Sequence, residues 1–212
     1  MKVLELFAGS RSIGRAAETL GHEVFSSDLE PFENIDYQVS ILDFDVSKVP
    51  FKPDFIWASP PCQGFSVASL GYHWTGGKNA YIPKTDKAKL GIEIVKKTLE
   101  IIDFFQPKYF FIENPRGVLR KMDFMQHIPR YTVTYCQYGD NRMKPTDIWT
   151  NSKEWIPKPM CRNGDSCHES APRGSKTGTQ GKVNPYERSK IPEILCLDII
   201  SSCNISLLNK AV

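Results

Sequence analysis

A chain of 212 residues can bury a real core, as one domain or one domain with a small appendage. Its 41% hydrophobic and 24% charged residues are the balance of a soluble globular protein, and no apolar run approaches a membrane span. The 27 basic and 24 acidic residues leave +3, only a weak pull toward an anionic partner.

The opening MKVLELFAGS meets glycine and polar residues too early for a secretory h-region. Six cysteines (62, 136, 161, 167, 196 and 203) therefore point to a reducing, cytoplasmic setting rather than a disulfide framework. In chain order, KVLELF predicts a strand closed by AGSRSIG, and SIGRAAETLG a helix ending at Gly21. EVFSSD predicts a second strand ending on Asp28, VSILDFD a third, and PDFIWAS a fourth that is apolar on both faces. Residues 67–84 are Gly-rich and aromatic without periodicity, the length of a functional loop or lid. Thr85 and Asp86 can cap a helix from about Asp86 to Phe105, which Pro107 stops. KYFFIEN then reads as a strand buried on both faces, and YTVTYCQY with DIWTN as a late antiparallel pair.

This alternation predicts an α/β fold, with a mostly parallel central sheet and helices on both faces. Ligands of such sheets sit at the carboxyl ends of the strands. Those ends carry Phe7-Ala8-Gly9, Asp28, Ser59-Pro60-Pro61-Cys62 and Glu113-Asn114. A Gly-rich turn with an acid after the next strand is how such folds hold a nucleoside. FAGSRSIG lacks the G-x-G-x-x-G spacing and the P-loop lysine, so a cofactor without a pyrophosphate fits better.

Cys196 and Cys203 sit in an apolar helical pattern and read as inert core thiols. Cys62 instead follows two prolines that fix its approach, and Gly64 allows a tight turn beside it. Glu113 ends an all-apolar strand, where a partly desolvated carboxyl can serve as a proton donor. A thiol nucleophile with a nearby carboxyl suits attack on a conjugated nitrogen heterocycle; the competing reading of Glu113 is a buried acid satisfied by backbone amides.

Together these residues resemble the DNA cytosine-5 methyltransferase family. LELFAGS is similar to its S-adenosylmethionine turn, SPPCQGFS to its Pro-Cys-Gln nucleophile motif and FIENP to its Glu-Asn-Val acid motif. YCQYGDNRMKPTDIW stands where the family carries Gln-x-Arg-x-Arg, and RSKIPEIL faintly echoes its closing segment. The resemblance spans residues 3–150, and weakly 188–200. It implies a Rossmann-like methyltransferase fold, with Cys62 as nucleophile, Glu113 as acid, Asn114 and Pro61 orienting, and Lys144 as a cytosine contact. S-adenosylmethionine would lie against Phe7, Ala8, Gly9, Ser10, Leu29, Phe44 and Pro60, with Asp28 on the ribose and Asp43 on the adenine amine. The substrate implied is cytosine flipped out of DNA, with Tyr72 and Trp74 as candidate wedge or stacking groups. Cytosine in tRNA, or an inactive DNA-binding relative, is the alternative.

The chain departs from that family in four places. Arg142-Met-Lys144-Pro-Thr146 replaces the paired arginines, Pro115 the valine of the acid motif, and Arg11 a cofactor-turn glycine. The Gly-Asn pair of the closing motif is absent. The expected layout is a cofactor-binding catalytic domain over 1–151, a basic insert over 152–187, and a C-terminal helix over 188–212 packing back. The insert is small for a target-recognition region, so specificity is expected to be short, loose or supplied by a partner protein. Its Arg162, Arg173, Lys176 and Lys182, with Arg188 just beyond, suit phosphate contacts, against a plain solvated loop. Cys161, Cys167 and His168 are zinc-type ligands, but no fourth is evident nearby and no metal is assigned.

Overall fold

The computed structural model describes residues 1–75, 81–169 and 184–208. In chain order the elements are β1 (Lys2–Leu6), α1 (Ser12–Thr19), β2 (Glu23–Asp28), β3 (Tyr37–Gln38), β4 (Phe55–Ala58), α2 (Leu70–His73), β5 (Trp74–Thr75), β6 (Ile82–Pro83) and α3 (Asp86–Phe105). β7 (Tyr109–Pro115), β8 (Arg130–Thr134), β9 (Pro145–Thr150), α4 (Pro185–Ser189) and α5 (Glu193–Leu208) follow.

Seven strands form one sheet in the order β3-β2-β1-β4-β7-β9-β8; β9 runs antiparallel to β7 and β8, and the other pairs are parallel. The mostly parallel α/β sheet with a late antiparallel pair is the one expected. β5 and β6 make a separate small ribbon. The central strands are apolar on both faces because both faces are covered. Ala88, Val95, Ile102 and Phe105 of α3 pack on one side with Leu4, Ile56 and Ile112. Ile13 and Ala17 of α1, with Leu195, Ile199 and Cys203 of α5, pack on the other with Val3, Phe55 and Phe111.

α3 has the predicted bounds because the Thr85 side chain accepts from the Ala88 amide and Gln106 ends the helix in a left-handed turn. The third strand differs from expectation: it is Tyr37–Gln38, and VSILDFD instead holds the 3-10 turn Ile41–Asp43, with a second, Val46–Lys48, directly after it. Ser40 and Asp45 there accept from the Leu42 and Ser47 amides, local bonds that compete with a strand ladder.

Glu5 is a buried charge-bearing group inside β1. Its carboxylate accepts from the Ile13 amide at 3.1 Å and from the Ser26 hydroxyl at 3.0 Å, which ties the start of α1 to the sheet. Burial pushes its pKa up to about 7, against the lowering effect of its hydrogen bonds and of Arg11. The folded state therefore holds this proton at a pH where the unfolded chain has lost it. Its stabilisation is complete below the ordinary glutamate range and is lost as pH rises through about 7. Glu5→Gln is expected to abolish that loss, worth about 3 kcal/mol, and to flatten the dependence of Tm on pH between about 5 and 8. Parallel melting curves of the two proteins over that range check it.

Candidate active site

The switch in strand order lies between β1 and β4, whose ends Leu6 and Ala58 are register partners. Ala58 in turn pairs with Ile112 of β7, so Glu113 begins one residue beyond the same level. Three chain segments distant in sequence thus open onto one crevice, as ligand sites of such sheets do.

The first segment turns sharply. Phe7, Gly9 and Arg11 have φ of 57°, 49° and 52°, a left-handed path that only glycine adopts without strain. Arg11 is held there by its guanidinium, which donates to the Ser26 hydroxyl at 3.1 Å and pairs with Glu18 at 2.5 Å. The arginine in the turn therefore lies back along α1 and puts no cation into the crevice. Asp28 accepts from the Gly9 amide at 2.8 Å and from the Glu30 amide at 2.9 Å, joining the ends of β1 and β2. Ala8, Ser10 and Pro60 are buried, and Leu29 and Asp43 are exposed. Phe44 is buried with its ring 5.4 Å from that of Tyr37. The closing segment meets this turn as well: the Ile191 amide donates to Ser12 Oγ at 3.2 Å, and Tyr186 packs 5.7 Å from Phe32.

The donor set fits a nucleoside without a phosphate. Asp28 is part-exposed, its carboxylate has acceptor capacity beyond its two amide bonds, and the turn lets backbone approach a ligand closely. No P-loop lysine stands in the turn to neutralise a phosphate.

The second segment carries the thiol. Pro60 is buried, Pro61 exposed and Cys62 half-buried at the crevice surface. The Phe65 amide donates to the Cys62 carbonyl at 3.0 Å, closing a tight turn. Trp74 anchors this turn from below, donating to the Gly64 carbonyl at 2.7 Å and stacking on Phe65 at 5.9 Å. Trp74 is thus a buried support, not the wedge the sequence suggested, because its indole N–H finds a backbone partner inside. Tyr72 remains 72% exposed.

The third segment holds the acid. Asn114 Nδ2 donates to the Pro60 carbonyl at 2.8 Å, fastening the end of β7 to the thiol turn. Asn114 Oδ1 is buried with no hydrogen-bond partner among the described residues, a position that a ligand donor can satisfy. Glu113 accepts from the Tyr135 hydroxyl at 2.9 Å, a buried bond. Burial first, then Glu113, raise the Tyr135 phenol well above its ordinary range, so it remains a donor. Sequence reading missed Tyr135, since nothing local marks it; it reaches Glu113 only because β8 and β9 fold beside β7.

Lys144 sits over the Tyr135 ring at 4.6 Å and donates to the Arg188 carbonyl at 3.1 Å. Burial pushes the Cys62 thiol above its usual range and the Glu113 charge adds to that, while Lys144 and Arg188 act in the opposite sense. Burial lowers the Lys144 pKa, and Glu113 and Cys62 raise it. Cys62, Glu113 and Lys144 therefore form one electrostatic group. Arg142 is fully buried beside this group, paired with Asp140, and donates to the carbonyls of Glu187, Arg188 and Lys190; its charge also lowers the Lys144 pKa. Of the basic residues expected to meet phosphates, Arg173, Lys176 and Lys182 lie outside the described residues, and Arg162 is exposed.

Comparisons with known proteins show the family. A model of the C-5 cytosine-specific DNA methylase family matches residues 1–128. A protein of Frog virus 3 (isolate Goorha) named "Probable DNA (cytosine-5)-methyltransferase" is 30% identical over 96% of this chain and 100% of its own length. DNA (cytosine-5)-methyltransferase 2 of Arabidopsis thaliana is 36% identical, but over only 31% of this chain and 4% of its own. Among solved structures, a prophage-encoded E. coli protein assigned as a DNA modification methyltransferase shares the fold at a TM-score of 0.52 and 15% identity. That alignment covers 76% of this chain and 52% of the E. coli chain, so the chain spans about half the length of that neighbour. With the family model covering more than half of its residues and a viral relative matching nearly end to end, this chain belongs to the C-5 cytosine-specific DNA methylase family.

Proposed function

We propose that the protein methylates C5 of cytosine in DNA, with Cys62 as nucleophile and Glu113 as acid. The observation that carries this reading is the 2.8 Å bond from Asn114 Nδ2 to the Pro60 carbonyl, which couples the acid strand to the thiol turn.

Cytosine C5 is a weak carbon nucleophile. Once its thiol proton has passed to solvent, Cys62 adds to C6 while Glu113 delivers a proton to N3, which turns the ring into an enamine reactive at C5. S-adenosylmethionine would be held at the first turn by Phe7 to Ser10 and Asp28, with Leu29, Asp43, Phe44 and Pro60 nearby, and would supply an electrophilic methyl group. Loss of the C5 proton to solvent water then breaks the C6–S bond and returns Cys62 as thiolate, and N3 gives its proton back to the Glu113 carboxylate. Lys144 is the cation that this thiolate meets, and it sits beside the carboxylate left on Glu113. Asn114 and Pro61 keep the two reacting side chains in register.

Because C6 is inaccessible in a stacked duplex, the base must leave the helix. Residues 152–187 make a small recognition region, so the target sequence is short or a partner supplies the rest.

Duplex DNA containing 5-fluorocytosine tests this reading, because fluorine cannot leave C5 as a proton does. With S-adenosylmethionine present, a denaturation-resistant complex joined through Cys62 is expected, absent in Cys62→Ala. No Cys62-dependent complex on any cytosine context would sink the reading. Methyl incorporation into tRNA but not into duplex DNA would move the substrate to RNA.

A further inference from the structure

Two buried cysteines have no place in the apolar core. Cys196 and Cys203 pack in the cluster beneath α5, but Cys136 and Cys161 belong to neither apolar cluster. They face each other with sulfurs 3.0 Å apart. Cys167 Sγ lies 3.7 Å from Cys136 Sγ, and His168 Nδ1 lies 3.7 Å from Cys161 Sγ and 3.6 Å from Cys167 Sγ. All four ligand atoms fall within 4.8 Å of one another.

We propose that Cys136, Cys161, Cys167 and His168 bind one zinc ion, in a structural site that pins the recognition insert to the catalytic sheet. The sequence reading assigned no metal for want of a fourth ligand. Cys136 is that ligand, 25 residues before Cys161 and adjacent only in the fold.

A tetrahedral zinc ion with ordinary Zn–S and Zn–N distances sets its ligand atoms about 3.5–3.8 Å apart. Three of the four close spacings already match, and the shorter Cys136–Cys161 pair needs to open by less than about 1 Å to do so. The exposed Asp165 carboxylate accepts from the Arg162 amide at 2.6 Å, curling the loop so that Cys167 and His168 return to Cys161. Gln137 Nε2 stands 3.5 Å from Cys167 Sγ, a donor of the kind that orients a metal-bound thiolate. Three sulfurs and one imidazole select zinc over hard cations, and a closed four-ligand set leaves no open position for catalysis. Binding releases the thiol protons of the three cysteines to solvent as the three Zn–S bonds form, while His168 ligates as the neutral ring through Nδ1.

At its start the insert is anchored by Trp155, buried against Phe111 and Tyr131. Nearer the cluster, the described residues are tied to the catalytic domain by hydrogen bonds that include the Cys161 amide to Thr134 Oγ1 at 3.0 Å, the Lys158 amide to the Tyr138 hydroxyl at 2.8 Å, Lys158 Nζ to the Gln137 carbonyl at 3.1 Å and the Glu169 amide to the Asn141 carbonyl at 3.0 Å. Cys136 follows Tyr135, the residue that holds Glu113. Zinc would therefore fasten the insert to the same short turn that supports the acid.

The full chain, purified with reductant and without chelator, is expected to carry one zinc per chain by elemental mass spectrometry. Cobalt(II) replacement is expected to give the absorption of a tetrahedral thiolate site. Cys167→Ser and His168→Ala alter residues outside the core and should weaken zinc binding at least about 10–100-fold with unchanged circular dichroism. Wild-type protein that takes up no zinc at saturating metal, or an octahedral cobalt spectrum, overturns the proposal. So does zinc affinity unchanged in both variants, or a Cys136–Cys161 disulfide that persists under reductant.

Discussion

Glu113→Gln is expected to lower methyl transfer about 10²–10⁴-fold, the range for removing a general acid. The substitution keeps the volume and shape of a side chain buried at the end of β7. Tyr135 still has an acceptor, since its hydroxyl can donate to the amide oxygen as it does to the carboxylate. Its phenol holds its proton throughout the ordinary pH range, so the bond itself survives. In the proposed mechanism, what disappears is the proton that N3 receives as Cys62 attacks C6. The loss should fall on kcat, with KM for DNA little changed, because the group acts where charge develops on the ring. Formation of the 5-fluorocytosine complex should slow by the same factor, since attack and protonation belong to one step. Steady-state methylation with parallel trapping rates measures both. A variant that keeps more than about a tenth of wild-type kcat would remove Glu113 from the acid role.

The parts legible in the sequence are those where a local signal coincides with a strand end. Cys62 and Glu113-Asn114 each follow an uninterrupted apolar run, and a strand buried on both faces leaves little ambiguity about where it stops. α3 was legible to the residue because its cap lies beside it in sequence. The support of the site was not legible, because it is made by register. Tyr135 meets Glu113 only after β9 pairs with both β7 and β8, a choice of neighbours that periodicity does not encode. Trp74 looked like a free aromatic in a glycine-rich loop until the small β5–β6 ribbon turned it inward. Cys136 read as one cysteine in a strand-like run, and its three companions lie in the loop after β9. Arg11 and Arg142 were legible as departures, and their ion pairs with Glu18 and Asp140 give each a structural role.

Gly117→Ala is expected to cripple the same reaction from a residue that touches neither base nor cofactor. Gly117 is extended, with φ of −165°, so its backbone conformation suits any residue. The constraint is space. A Cβ there would stand 2.2 Å from the Phe65 carbonyl oxygen and 3.1 Å from the carbon that bears it. Phe65 is three residues beyond Cys62, and its carbonyl accepts from the Val118 amide at 2.8 Å. Neither side of this contact can retreat freely. The Arg116 amide is bonded to the Pro145 carbonyl at 2.9 Å, and Arg120 is paired with the buried Asp147. On the other side, Phe65 is buried against Trp74 and Gly91. Relief must come from the thiol turn, the part nearest the surface. Overpacking of this kind, with a backbone hydrogen bond disturbed, costs about 2–4 kcal/mol. A Tm lower by at least about 4 °C is expected for a chain of this size. At temperatures where the variant is still folded, Cys62 trapping by 5-fluorocytosine DNA should fall at least about tenfold, because even about 1 Å of misplacement is costly to a reacting group. Wild-type Tm together with wild-type trapping would show that the segment after β7 does not hold the nucleophile.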